Sequence, residues 1–379
     1  MNFTIDRNSL LKPLGHVSSV VERRNTIPIL SNVLIETNSS KVSFTATDMD
    51  MDIVEETSCI VSSQGKVTLA AHTLYDIVRK LPDGSEVKIE LKEFNVEVSA
   101  GKSKFILPTL PVDDYPIMTN IEKNYEFTVQ SIDLANLIDN TKFAISSEET
   151  RYYLNGIFLH VPDSNKGKLR AVATDGHRLA QAEIPLPNGA KDMSGIILPR
   201  KAVGEIRKLT DETDGEIKII VSNNKAQFIF PNSILTTKLI DGSFPDYQRV
   251  IPRENLNKLI VSNSEFSKAI DRVSTVAMEK SRAVKLSLSN NLVSLNVNSH
   301  DVGNASEDLE IEYNHDSLEI GFNSKYLLDI ASQIQSKEIE ILLSDSASPA
   351  LITDPDQDGV IFVLMPMRVW SSIWFNYEI

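Results

Sequence analysis

Three kinds of segment recur along this chain in one fixed order, and that recurrence limits the fold more than any single motif. "FTIDRNSLLKPLGHVSSVV" begins at Phe3, "FTVQSIDLANLIDNTKFAIS" at Phe127 and "LIVSNSEFSKAIDRVSTVAM" at Leu259, at intervals of 124 and 132 residues. Each reads as a short strand, a polar break and then apolar residues at helical spacing. "VTLAAHTLYDIVRKLP" from Val67, "IILPRKAVGEIRKLT" from Ile196 and "LEIGFNSKYLLDIASQI" from Leu318 repeat that pattern at intervals of 129 and 122. Between them lie "KVSFTATDMDMDIVEE", "KLRAVATDGHRLAQAE" and "NLVSLNVNSHDVGNAS". Their alternation of apolar and polar residues suits strands with one wet face.

A period of roughly 120–130 residues exceeds that of any solenoid, so each copy should be a domain with its own core. The polar stretches "MTNIEKNYE" and "VIPRENLNK" place the boundaries, giving domains 1–120, 121–253 and 254–379. Each is expected to hold two helices and about eight strands, which is an α+β arrangement. The length of 379 residues fits two or three domains.

Composition removes several classes. Cys59 is the only cysteine, which excludes an intramolecular disulfide and any multi-cysteine zinc site. The opening "MNFTIDRNSLLKPL" lacks a signal-peptide apolar core, and no apolar run approaches about 20 residues. A cytoplasmic protein without a membrane span is the expectation.

The formal charge of −14 does not by itself announce a nucleic-acid binder. Its distribution is more informative. The six helical windows, 7–24, 71–82, 131–145, 199–209, 263–282 and 323–337, carry 17 basic and 9 acidic residues, whereas the rest of the chain carries 21 and 43. One reading is that the helices simply expose solvated Lys and Arg. The other is that equivalent helices turn one face toward a polyanion, with Arg23, Arg24, Arg79, Lys80, Arg207, Lys208, Lys268 and Arg272 as candidates. Window 131–145 is net negative, so the pattern is uneven.

"ATDGHRLA" (173–180) concentrates Asp175, Gly176, His177 and Arg178 within an apolar run. On a strand Asp175 and His177 share a face, so an acid–base hydrolase is the rival reading. No nucleophile or metal set accompanies them, and the Walker, His-Glu-x-x-His and Gly-x-Ser-x-Gly signatures are absent. "DPDQDG" (354–359) imitates the start of a calcium loop, but Met365 stands where the bidentate Glu belongs. A hairpin turn is expected there, with weak cation binding as the alternative; no other metal site and no cofactor is expected.

"RYYLNG" (151–156), "ATDGHRLA", "LIDGSFPDYQRVIP" (239–252) and "VLMPMRV" (363–369) closely resemble the bacterial DNA polymerase III beta subunit family, the sliding clamps. The resemblance runs from "LLKPL" to "MPMRV", leaving out about the last ten residues. It implies two three-domain protomers closing head to tail into a ring, with helices lining the hole and duplex DNA threaded through it without sequence preference. It implies no catalysis. By family position, Phe105 and Val276 belong to the dimer interface, and Arg24, Tyr152 and Tyr153 to the DNA contacts.

The resemblance also answers the "DGHR" question with a peptide-docking pocket. Leu154, Thr174, Gly176, His177, Arg178 and Leu179 match one wall; Pro245, Arg249 and Val250 come from "FPDYQRV"; Val363, Met365, Pro366, Met367 and Arg368 come from the C-terminal strand. Flexible Met side chains adapt to Leu and Phe anchors of several partners. The implied partners are the polymerase III alpha subunit, the clamp loader, and other polymerases and repair proteins with clamp-binding motifs. Two departures stand out: Pro349 replaces a small hydroxyl residue, and the aromatic extension "WSSIWFNYEI" (370–379) either folds back over the pocket or packs on a neighbouring apolar patch.

Overall fold

A computed structural model describes residues 1–118, 121–278, 282–299 and 301–369. The extension 370–379 lies outside the described residues. The chain divides into two compact units, one formed by Met1–Ala135 with Leu186–Asp241 and the other by Asn136–Pro185 with Gly242–Ile379. The residues of the middle repeat are thus shared between the two.

Six helices recur in pairs: α1 (Arg7–Val20), α2 (Ala71–Lys80), α3 (Ser131–Lys142), α4 (Arg200–Asp211), α5 (Asn263–Ser274) and α6 (Ser324–Ala331). Each follows a strand directly. Residues 1–120 hold nine described strands, one more than expected, and 121–253 and 254–369 hold eight each. The starts are set locally. Asp6 caps α1 by accepting from the amides of Asn8 and Ser9 at 2.9 and 3.0 Å, and Asn323 caps α6 through the amides of Lys325 and Tyr326. Buried Phe266, Ala269, Ile270 and Val273 give α5 its inward stripe.

Five helices end earlier than the apolar spacing implies, and α1, α5 and α6 do so by four residues or more. α1 stops at Val20 because Val21 is extended, so Arg23 and Arg24 lie in an exposed loop and not on a helix. α5 stops at Ser274. α6 stops at Ala331, where the Asn263 side chain donates to the carbonyls of Ala331 and Ile334 at 3.2 and 3.3 Å and satisfies the open end.

In the first unit, one sheet has the order Ile60–Ser63, Asn2–Asp6, Glu86–Lys92, Asn95–Ala100, Ser103–Pro108. A second has the order Tyr125–Gln130, Glu216–Val221, Lys225–Ile229, Ser233–Lys238, Met51–Ser58, Lys41–Thr47, Asn32–Asn38, Gly65–Ala70. Its central pairing, Ser233–Lys238 with Met51–Ser58, joins strands of the first and second repeats into one antiparallel ladder.

The second unit repeats the design. Gly156–His160, Lys168–Thr174, Arg178–Pro185, Ile361–Leu364, Ala350–Thr353, Glu338–Leu343 and Asn257–Ser262 follow one another, and Arg178–Pro185 pairs with Ile361–Leu364 to join the second and third repeats. A four-stranded sheet has the order Gly303–Glu310, Leu292–Ser299, Ala283–Ser289, Leu318–Asn323. Phe3, Leu10, Leu14, Phe44 and Phe228 are buried in the first unit, and Phe266, Leu286, Phe322 and Phe362 in the second. No helix among the described residues is long and apolar enough to cross a membrane.

Candidate functional site

The turn between Lys168–Thr174 and Arg178–Pro185 is organised by its own side chains. Asp175 Oδ1 accepts from the amides of His177 and Arg178 at 2.9 and 3.0 Å, while Thr174 Oγ1 accepts from the Gly176 amide at 3.1 Å and donates to the Arg178 carbonyl at 2.7 Å. Gly176 has φ +89°, and a Cβ there would lie 2.5 Å from Arg151 Nη1. Arg151 covers that face, donating through Nη2 to the Asp175 carbonyl at 3.0 Å. The Asp175 carboxylate therefore shapes the turn and is not paired with the His177 ring, which removes the acid–base reading.

Arg178 anchors the wall from within. Its side chain is 8% exposed, donates to Asp175 at 3.1 Å, to Asp329 at 2.6 Å and to the Phe143 carbonyl at 2.7 Å, and lies 4.3 Å from the Tyr326 ring centroid. Every guanidinium nitrogen thus has a partner inside the chain. His177 stays exposed on the turn, 6.3 Å from the Tyr326 ring, and its carbonyl accepts from the Met365 amide at 2.9 Å.

Strand register brings Leu179 opposite Val363, and Val363 opposite Leu351. With Val172 and Tyr247 they form an apolar floor, flanked by half-buried Phe158, Phe244 and Ile251. Tyr247 is held beneath by a polar network. Its hydroxyl accepts from Arg170 Nη1 at 2.7 Å and faces His160 Nε2 at 2.9 Å, and Arg170 Nε reaches Glu183 at 2.6 Å. Burial and the Arg170 charge push His160 down to about 4, so its ring is neutral and Nε2 accepts the tyrosine proton. His160, Phe158 and Phe244 stack with centroids 4.4 and 4.8 Å apart.

The rim carries the exposed members of the expected set. Pro245, Arg249 and Arg368 are exposed, Val250 is 46% and Met365 39% exposed, and Pro366 and Met367 are half-buried. Leu154 is buried. Met367 is fixed by its amide, which donates to the Gly321 carbonyl at 2.7 Å. Beside the rim a cavity of about 660 Å³ is lined by Arg249, Ile251, Pro252, Asn255, Ser344 and Pro349. The Pro349 carbonyl accepts from Asn255 Nδ2 at 2.9 Å.

Phe158, Phe244, Leu351, Tyr326, Asp329, Phe143 and Arg151 are absent from the sequence-based set. Phe244 sits within a quoted motif and was open to detection. Asp329 and Phe143 reach Arg178 from 151 and 35 residues away, and nothing local marks them.

The cationic candidates are mostly solvent-facing. Arg24, Arg79, Lys80, Lys208, Lys268 and Arg272 are exposed, and Lys268 and Arg272 share one face of α5. Arg79 lies 3.0 Å from Asp76, and Lys208 lies 2.8 Å from Glu205. Arg207 is half-buried and paired with Asp211, and Arg272 Nε is 3.0 Å from Glu307. Tyr152 is 55% exposed and Tyr153 half-buried, with centroids 5.8 Å apart, so neither is a core residue. Phe105 is half-buried on the edge strand Ser103–Pro108. Val276 is half-buried in the turn after α5. Asp354 accepts from the Gln335 amide and Gln357 Nε2, both at 2.6 Å, and from the Asp356 amide at 3.0 Å, so the acidic loop is a self-satisfied hairpin turn. Among the described residues no group of His, Cys, Asp and Glu could hold a metal ion.

Comparison with known proteins is consistent over 97% of the chain. Family models of the DNA polymerase III beta subunit match at residues 1–119 (N-terminal domain), 128–246 (central domain) and 248–368 (C-terminal domain). The beta sliding clamp of Caulobacter vibrioides is 49% identical over 372 residues, covering 97% of this chain and 100% of the relative. That of Pseudomonas aeruginosa is 39% identical over 370 residues, with the same coverage. A crystal structure of a sliding clamp from Bartonella birtlesii bound to griselimycin superposes with a TM-score of 0.95 at 48% identity, covering 97% of this chain and 100% of that one.

Proposed function

The chain belongs to the DNA polymerase III beta subunit family, and on that premise we propose that it acts as a processivity factor: a sliding clamp, not an enzyme, that holds replication proteins on duplex DNA. The observation that carries the docking half is the floor of Leu179, Val363, Leu351 and Val172, flanked by exposed Met365, Val250 and His177. An apolar trough with adaptable thioether and imidazole groups at its rim suits a short peptide with Leu and Phe anchors. The polymerase III alpha subunit, the clamp loader, and other polymerases and repair proteins present such peptides. Thr174, Gly176, Leu154 and Arg178 shape the wall; Pro245, Arg249, Pro366, Met367 and Arg368 border it.

Three clamp domains, 1–120, 121–253 and 254–379, close head to tail with a second copy into a ring in the cytoplasm. Two edge strands support this. Ser103–Pro108 ends one sheet with Ile106 65% exposed, and Gly303–Glu310 ends another with its outward positions open. Each leaves an unpaired ladder for a partner protomer. Arg24, Tyr152, Tyr153, Arg79, Lys80, Arg207, Lys208, Lys268 and Arg272 supply loose phosphate contacts, with the tyrosines stacking on unpaired bases.

The test is retention on DNA after loading onto a nicked circle by the cognate clamp loader. Protein that stays on circles at moderate salt and runs off once they are cut is topologically bound. Equal retention on circular and linear DNA, lost only as salt rises, makes it an ordinary electrostatic binder and ends the ring reading.

A further inference from the structure

The first unit contains a junction with the same backbone bonds as the one that bears the groove in the second. The Lys238 amide donates to the Asp50 carbonyl at 2.8 Å, as Met365 does to His177; the Ile240 amide donates to the Ile197 carbonyl at 3.0 Å, as Met367 does to Gly321. The turn at Thr47–Met51 copies that at Thr174–Arg178. The Met49 amide reaches Thr47 Oγ1 at 3.0 Å, and the amides of Asp50 and Met51 reach Asp48 Oδ1 at 2.9 and 2.7 Å. Met49 has φ +77° where Gly176 has +89°. Tyr115, in a cluster with Leu30 and Leu34, occupies the place of Tyr247.

Register then fixes which residues replace the floor. Thr236 pairs with Asp52 and with Gln227, as Val363 pairs with Leu179 and Leu351. Thr45 stands for Val172. The floor is therefore polar: Gln227 Nε2 donates to Thr236 Oγ1 at 3.0 Å, and Asp52 Oδ2 accepts from the Met118 amide at 2.9 Å. Asp52 is 7% exposed, and its bond ties the segment that follows Tyr115 down across the floor. In the second unit Leu179 offers no acceptor, and Val250 stands 46% exposed at the rim.

We propose that Asp52 confines docking to one groove per chain, by stapling residues 115–118 over a second groove of the same build and by making its floor hostile to apolar anchors. The inference rests on the docking reading of the Leu179 groove. A Leu or Phe anchor laid on this floor would displace the Met118 amide and bury the Asp52 carboxylate without that partner, which disfavours the apolar anchor that the Leu179 floor accepts. Asp52, with Thr236, Gln227 and Thr45 at the other floor positions, thus separates two sites of matching backbone build.

The experiment titrates a fluorescein-labelled hexapeptide with one Leu and one Phe anchor against the full chain and the Asp52→Leu/Thr236→Val variant. The wild type binds one peptide per chain and the variant two, the second within about 100-fold of the first in affinity. A variant that folds and still binds one overturns the proposal. Should the double variant not fold, Asp52→Ala is read by hydrogen exchange: the Met118 amide exchanges at least about tenfold faster, and an unchanged rate overturns the staple. If the wild-type chain binds no peptide, the docking reading itself fails and this inference falls with it.

Discussion

Tyr247 donates to His160 under the groove: the phenol oxygen lies 2.9 Å from Nε2 of a ring that burial and Arg170 keep neutral down to about pH 4. The aromatic floor is thus supported by a polar network whose state is fixed across the physiological range.

Tyr247→Phe removes the acceptor for Arg170 and the donor for His160. It should cost about 1–3 kcal/mol, since both partners are left under-bonded in a largely buried place. Urea denaturation measures the loss, and the same variant should bind a docking peptide more weakly because residues 244–251 lose their tether. Unchanged stability would show that water takes over both bonds.

The His160 network also has a pH signature. Its folded pKa is depressed below 6.5, so the unfolded chain takes up a proton that the folded chain refuses until about pH 4. Stability from this site is complete above 6.5 and declines as pH falls toward 4. His160→Gln should flatten that part of the urea-midpoint profile.

His16 works in the opposite sense. Burial opposes its charge, but Glu55 at 2.8 Å from Nδ1 and Glu212 at 3.1 Å from Nε2 outweigh it and raise the pKa above 6.5; Lys12, 2.7 Å from Glu212, is the other charge nearby. A raised histidine stabilises fully below its unfolded pKa and stops doing so as pH rises through the folded value. Wild type should therefore lose stability relative to His16→Gln as pH is raised from 6 through and above 6.5.

The two turns make paired predictions. Gly176→Ala forces a side chain into φ +89° and displaces Arg151, at a cost of about 1–2 kcal/mol. Met49→Gly relieves the same conformation at φ +77°, and should gain up to about 1 kcal/mol after the entropy cost of glycine. Thermal melts of the two variants should move in opposite directions.

Asp52→Asn keeps an acceptor for Met118 and removes a charge that burial disfavours. Burial raises the Asp52 pKa, with the Thr47 hydroxyl and Met118 amide opposing. The folded chain thus holds its proton at higher pH than the unfolded chain, and stability falls as pH climbs from about 3.8 through the folded value. The variant should be more stable than wild type at pH 7, by about 1 kcal/mol.

The triple recurrence and the helix starts were open to reading in the sequence because caps and strand breaks are local: α1, α2, α3 and α5 begin at residues 7, 71, 131 and 263, as the spacing implies. Helix ends were not, since α6 is closed by Asn263, a residue from another helix. The groove shows the same division. "DGHR", "DYQRV" and "MPMR" announce themselves, but Phe158, Leu351 and Asp329 enter only when strand register and helix docking deliver them. The basic helices were legible as composition, and so was Asp211 four residues beyond Arg207 on α4, whereas Glu307 reaches Arg272 from 35 residues away and depended on three-dimensional placement.

The ladder between Ser233–Lys238 and Met51–Ser58 has a consequence for synthesis. The strand at Met51–Ser58 leaves the ribosome about 175 residues before its neighbour exists, a wait on the order of ten to thirty seconds at about 5–20 residues per second. During that time its outer edge is bare, and nascent chains on neighbouring ribosomes carry the same bare edge. The order of translation therefore obliges the cell to shield this strand, and slowing elongation between residues 60 and 230 should raise the fraction of chains that aggregate before release.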